Sequence, residues 1–297
     1  MMKRITVIWV ACLLSLSAFA QQLPQFSQYV MNQYAINPAV AGSHDALEIK
    51  STNRYQWTGI KDAPRTYTLS LTNPLADGTM GVGAYIFTDI VGPTRRIGIQ
   101  ASYAYHFQVT DDMKIGAALS GGILEYTIDG DKISLTDSND PALINTLGRT
   151  TVFDAKAGIY AYTDKFYLGF SIPQIVQNNL QLHDGIETFS RIESHYFFYA
   201  GYKYDVTDEI MLEPSLLIKT VVPTPTRFDM TLRGHYQEKF WLGASYRLDD
   251  AMVAMMGYTW EDRILFGYSY DLTLSDLQGY SGGSHELMLG LKLGKLK

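Results

Sequence analysis

Few residues in this chain have the types and spacing to do chemistry. Its six histidines are His44, His106, His183, His195, His235 and His285. No two stand at the spacing of a metal-ligand pair, and neither an H-E-x-x-H motif nor a carboxylate cluster accompanies them. A lipid hydrolase at a membrane rim would need a histidine beside a serine. His106, with Ser102 four residues earlier on the same face of an extended run, is the nearest arrangement of that kind. The plainer reading, a polar lining residue, is preferred. Gly81-Val82-Gly83 and Gly121-Gly122 are followed by no helix, so they are not phosphate loops and instead allow curvature or close packing. The expectation is a protein with no catalytic residues, no cofactor and no metal, and not an enzyme.

The charged residues are more informative. Asp154 and Lys156 share one face of a strand, as do Asp229, Arg233 and His235, and Glu213 and Lys219 are further strand charges. The facing of Glu125 is open. In hydrocarbon each of these would be costly, so they require a hydrated or protein-filled interior. An internal polar network that braces a barrel is one reading, and a conduit lined for a substrate is the other.

The elements that position these charges are strands. In 226–236, Phe228, Met230, Leu232 and Tyr236 point one way while Asp229, Thr231, Arg233 and His235 point the other. In 239–248, Phe240, Leu242, Ala244 and Tyr246 oppose Gly243, Ser245 and Arg247; in 263–271, Ile264, Phe266, Tyr268 and Tyr270 oppose Gly267, Ser269 and Asp271. A period of two gives one apolar and one polar face. Links as short as 237–238, 249–250 and 261–262 leave room only for hairpin turns, which makes the neighbours antiparallel. Extended over the chain, the pattern predicts fourteen strands: 46–54, 64–73, 79–89, 94–107, 112–126, 150–162, 165–172, 194–204, 209–220, 226–235, 239–248, 251–260, 263–271 and 284–294. Most are long enough to cross a bilayer at a tilt.

Loop lengths sort by parity. The even connections (74–78, 108–111, 163–164, 205–208, 237–238, 261–262) are all short, whereas the long ones (55–63, 127–149, 173–193, 272–283) all fall in the odd set. Outer-membrane barrels have short turns on one side and long loops on the other, and a Greek-key sandwich has no reason to show this. The long loops 127–149 and 173–193 are the candidates for external contacts.

The two ends read differently from the middle. Lys3, Arg4, the apolar run 5–16 and Ala18-Phe19-Ala20 form a secretory signal with cleavage before Gln21. The only cysteine, Cys12, lies within it, at a poor site for lipid attachment, so the mature chain has neither disulfide nor thiol nucleophile. Losing two positive charges takes the net charge from -6 to -8, which leaves no basic footprint for nucleic acid. Residues 21–45 do not alternate and read as an arm packed near the first strand, with about two helical turns over 29–36 ended by Asn37-Pro38. At the other end the chain finishes Leu293-Gly294-Lys295-Leu296-Lys297, without the terminal aromatic residue common in such barrels.

One stretch of the arm, Tyr34-Ala35-Ile36-Asn37-Pro38-Ala39-Val40-Ala41-Gly42, is followed by Arg54-Tyr55-Gln56-Trp57-Thr58-Gly59, Ala63-Pro64-Arg65-Thr66-Tyr67 and, near the end, Ser284-His285-Glu286. This succession resembles the PorP/SprF family of Bacteroidota outer-membrane proteins over essentially the whole mature length. The resemblance implies a β-barrel of the type IX secretion and gliding-motility machinery that helps export or attach a surface protein such as an adhesin. It also implies partners in the periplasmic part of that machinery. Two readings of the motif stand: Pro38 and Gly42 bend the arm so that it enters the barrel while Trp57 anchors a loop at the membrane surface, or Asn37, Pro38, Ala39, Gly42 and Trp57 form a docking surface for a partner.

The sequence therefore predicts a signal peptide (1–20), a short periplasmic arm (21–45) and a transmembrane all-β barrel (46–297) of about fourteen antiparallel strands in outer-membrane lipid. The alternative function on the same fold is a diffusion porin for small solutes.

Overall fold

Alternation dictates the architecture. The computed structural model describes residues 23–75, 78–133, 148–180, 192–221 and 224–294. The expected leader (1–20), the middles of the two longest loops and His183 lie outside these residues. The strands are β1 (Leu47–Tyr55), β2 (Arg65–Leu75), β3 (Met80–Val91), β4 (Thr94–Gln108), β5 (Lys114–Ile128), β6 (Gly148–Tyr162), β7 (Phe166–Ile172), β8 (His195–Tyr202), β9 (Tyr204–Asp205), β10 (Ile210–Val221), β11 (Arg227–Tyr236), β12 (Phe240–Arg247), β13 (Ala251–Trp260), β14 (Ile264–Thr273) and β15 (Ser284–Leu293). β8 and β9 are one stave interrupted at Lys203. Both face β10 in a single register, with Ala200 opposite Leu216 and Tyr204 opposite Leu212. The fifteen strands thus make the expected fourteen staves.

Each stave pairs antiparallel with the next, and β1 pairs with β15 from Leu47 opposite Leu293 to Tyr55 opposite His285. The sheet therefore closes and leaves no edge strand to be capped. Short turns conform to the hairpin rule. Gln237 and Glu238, and again Glu261 and Asp262, take positive φ, the backbone twist that matches two antiparallel strands.

The result is inside-out relative to a soluble protein. Leu119 and Leu242 are 68% and 67% exposed on the outer face, while Arg54 and Glu286 are 2% and 0% exposed on the inner one. Only a lipid surround makes this distribution favourable. Aromatic side chains stand at both ends of the outer face. Phe107, Phe240 and Trp260 mark the short-turn end and Tyr55, Tyr196 and Tyr246 the long-loop end, as the two water–lipid interfaces favour. Glu125 sits on the outer face with Leu119 and Ile123, where it pairs with Arg149 near the long-loop rim.

The arm departs from expectation. Instead of lying on the periplasmic side near the first strand, residues 23–45 run inside the barrel. Gln25 bonds the side chain of Asp250 in the β12–β13 link, one of the odd set, and Ala41 bonds His106 at the far end of β4. The arm thus descends the lumen from the long-loop end to the short-turn end, where β1 begins. Only two single turns of 3-10 helix form in it, Gln33–Ala35 and Pro38–Val40. A polar lumen offers backbone and side-chain partners all round, so the arm satisfies its peptide groups without a regular helix.

Candidate functional site

The lumen is the site, and its first component is a cage of charge at the long-loop end. Alternation aims Arg54 (β1), Arg247 (β12), Asp271 (β14) and Glu286 (β15) inward, and barrel closure brings them together. Arg54 donates to Asp271 at 2.7 Å and to Glu286 at 3.1 Å. Arg247 donates to Asp271 at 3.1 Å, to Asp229 at 3.2 Å and to Asp250 at 3.3 Å, and Lys219 meets Asp229 at 2.8 Å. With Arg227 3.9 Å from Asp250, four carboxylates face four cations, and the arm adds hydrogen bonds to them. The Ser27 and Gln28 backbone N–H groups donate to the two oxygens of Glu286 at 2.8 and 2.9 Å, and the Ser27 hydroxyl donates to Asp271. Charge-assisted bonds of this kind are the strong ones in a dry interior.

A second cluster lies lower. Glu213 on β10 accepts from Arg233 at 2.5 Å, from His235 at 3.1 Å and from the Tyr167 hydroxyl at 3.0 Å. Arg233 also reaches the Met31 sulfur of the arm and stacks on Trp241. Beside it the Tyr29 hydroxyl meets Ser215 at 3.2 Å. A third group holds Asp154, which accepts from Gln100, and Lys156, which lies 4.7 Å over the Tyr85 ring. The residues Asp154, Lys156, Asp229, Arg233 and His235 therefore all line the lumen but do not form one network. Asp229 belongs to the cage, Arg233 and His235 share Glu213, and Asp154 and Lys156 stand apart.

The Asn37–Gly42 turn is wedged at the short-turn end. Asn37 caps its own turn by accepting from the Ala39 N–H at 2.9 Å, and its amide donates to the Ile159 carbonyl of β6 at 3.0 Å. Ser171 of β7 donates to the Ile36 carbonyl at 2.6 Å, and Tyr34 meets Ser102 at 2.8 Å. Wall glycines make the room. A Cβ on Gly81 would lie 1.9 Å from the Ala41 carbonyl oxygen, one on Gly158 2.0 Å from Asn37 Oδ1, and one on Gly83 2.4 Å from the Tyr34 ring. Gly42 itself needs φ +78° to turn the chain into β1. Burial pushes the Tyr29 and Tyr34 hydroxyls up to about 12, so both remain neutral hydrogen-bonding groups.

Trp57 lies elsewhere, in the β1–β2 loop. There its backbone N–H donates to the Ser284 hydroxyl at 3.1 Å, and Thr58 donates through its N–H and its hydroxyl to the Gly283 carbonyl while accepting from the Gly282 N–H, bonds that stitch the first and last long loops together. His106 donates through Nε2 to the Ala41 carbonyl at 2.8 Å and meets the Tyr162 hydroxyl through Nδ1 at 3.2 Å, so it is a strut of the plug and not a partner for Ser102. Among the described residues no group of three or more metal-ligating side chains converges. Below the arm two adjoining hollows of about 520 and 790 Å³ open toward the short-turn end, with Met31, His44, Glu48, Lys50, Asp164 and Glu238 common to both.

Arg54, Arg247, Asp271, Glu286 and Ser27 escaped sequence reasoning as a group. Arg247 and Asp271 stand on recognisably polar faces, and Arg54 and Glu286 lie inside the motifs quoted above, but nothing in the linear pattern pairs them.

Residues 18–291 match the family described as type IX secretion system membrane protein PorP/SprF. The chain belongs to the PorP/SprF family. Its motifs converge on the plug: Asn37–Gly42 is the lower wedge, and Arg54 and Glu286 are the upper anchors. This PorP/SprF protein is accordingly an outer-membrane β-barrel component of the type IX secretion system. Among curated proteins none matches it. Similar solved structures include the Ralstonia pickettii toluene transporter TbuX (11% identity, 88% of this chain and 92% of that one, TM-score 0.51) and the CymD monoaromatic hydrocarbon channel (11%, 93% and 94%, 0.53). The P. putida toluene transporter TodX is similar to the same degree (9%, 88% and 93%, 0.50). At such identities the likeness concerns the fold alone.

Proposed function

We propose that this PorP/SprF protein is a non-enzymatic receptor of the type IX machinery. It binds a secreted surface protein, such as an adhesin, through that protein's C-terminal targeting domain, and assists its export or attachment. The observation that carries this reading is the filled lumen. The stretches typical of the family hold the arm across the barrel, an arrangement suited to recognition at the two mouths and ill suited to an open diffusion porin. The long loops offer one surface and the mixed-charge hollow at the short-turn end offers the other, toward the periplasmic components. Energy for export comes from those components. Removal of the leader at Ala20 delivers the protein to this route.

Deleting the gene tests the proposal. Loss of one cargo from the cell surface, with solute uptake unchanged and the cargo recovered on the native barrel in mild detergent, is the expected outcome. Normal surface cargo with a fall in small-solute uptake would replace this reading with the porin one.

A further inference from the structure

Three arginines break the apolar outer face, and they are neighbours. Arg65, Arg95 and Arg149 lie within the first two residues of β2, β4 and β6, at the long-loop end. Alternation turns them outward with Leu69, Ile99 and Phe153. Strand register sets them in one line: Arg65 is opposite Ile90, Ile90 opposite Arg95, Arg95 opposite Thr127, and Thr127 opposite Arg149. Tyr55 of β1 continues the line beside Arg65. Among the described strand residues no other lysine or arginine points to the lipid side; Lys50, Lys114 and Lys292, for example, line the lumen.

Arg149 has a counter-ion in Glu125, whereas Arg65 and Arg95 form no ion pair among the described residues. An unpaired arginine is unfavourable in hydrocarbon and tolerated at the interface, where its stem snorkels and its guanidinium reaches the headgroups. A general interfacial anchor would be spread around the barrel. The far side of the same rim presents Tyr196, Tyr246, Met252 and Leu272 instead. Neighbouring strands lie about 4.8 Å apart, so Arg65 and Arg95, two staves apart, stand about 10 Å from each other and can engage one headgroup together. Four residues further along the same staves is a second line in register, Leu69, Ile86, Ile99, Ile123 and Phe153, all exposed. The patch is cationic above and apolar below, which matches an amphiphile with an anionic head and acyl tails.

We propose that the β2–β6 face is a binding site for a phosphorylated glycolipid of the outer leaflet. Arg65 and Arg95 hold its phosphates through the guanidinium fork, Arg149 flanks them, and the apolar line takes its acyl chains. The site is separate from cargo binding and can fail or hold without it.

Native mass spectrometry of the mature barrel in mild detergent tests it, with lipid A carrying two phosphates as the probe. The wild-type protein should retain one lipid A, at least tenfold more tightly than dephosphorylated lipid A or phosphatidylglycerol, and excess inorganic phosphate should not displace it. Arg65→Gln with Arg95→Gln should weaken the binding at least tenfold. Equal retention of the three lipids would reduce the patch to a general lipid contact, and displacement by inorganic phosphate would make it an anion site only. An undiminished double variant would place the lipid elsewhere. Each of these results overturns the proposal. Folding is checked by heat-modifiable gel mobility. Should the double variant not fold, Arg95→Gln alone is read against the same lipids, with at least a threefold loss expected and no loss rejecting the site.

Discussion

Arg54 donates to Glu286 at 3.1 Å, and the same carboxylate accepts the backbone N–H groups of Ser27 and Gln28. A charge pair across the β1–β15 seam is thereby also the anchor of the N-terminal arm. Removing Arg54 leaves Glu286 and Asp271 buried with reduced compensation, and breaking such a pair costs about 3 to 5 kcal/mol. Arg54→Met should therefore lower the urea stability of the refolded barrel by an amount of that order. Arg54→Met with Glu286→Met should recover part of it. Equal losses in the single and double variants would show that the two residues are not coupled.

The glycine wedge gives a matched pair of substitutions. Gly158→Ala places a Cβ 2.0 Å from Asn37 Oδ1, whereas Gly121→Ala places one 3.5 Å from the Phe153 ring, an ordinary contact. Gly158→Ala should dislodge the Asn37–Gly42 turn and expose residues 23–45 to protease in an otherwise folded barrel. Gly121→Ala should leave cleavage at the wild-type rate.

The outer face makes a prediction of its own. Leu119 is 68% exposed in the middle third of β5. Arginine there should cost roughly 2 to 4 kcal/mol of stability in a bilayer, the penalty for a cation near the midplane. Folding yield into liposomes is the readout, with Leu119→Ala as the apolar control that should retain most of it.

Docking of the arm should depend on alkaline pH. Tyr29 and Tyr34 ionise near 12 when docked and near 10 when free, because burial disfavours the phenolate. Their contribution is therefore intact below pH 10 and falls as pH rises from 10 to 12, where only the released arm has given up its protons. Proteolysis of the arm after incubation at stepped pH should show release in that window. In the Tyr29→Phe, Tyr34→Phe double variant, two neutral rings remove these titrations, and the release should move to higher pH.

The strands, their count and their facing were legible in the sequence because period-two alternation is local. Met230 and Leu232 against Asp229 and Thr231 state which side each residue takes before any contact is known. Loop parity likewise exposed the two ends of the barrel, since hairpin turns and long loops are chain-local properties. The glycines of β3 were recognised as sites of close packing, though not what packs there.

Only the tertiary structure decided the course of the arm and the grouping of the charges. Asn37–Gly42 reads equally as a bend that takes the arm into the barrel or as a docking surface, because the glycines that admit it, Gly81 and Gly158, are far away in sequence. Asp229 and Arg233 share a strand face, yet they part company once Lys219, Arg247 and Glu213 arrive from neighbouring staves. Side-chain direction follows from the backbone of one strand. Which charge faces which, and what fills the space between them, follows from closure of the sheet, which brings β1 against β15 and folds the arm into the cylinder they complete.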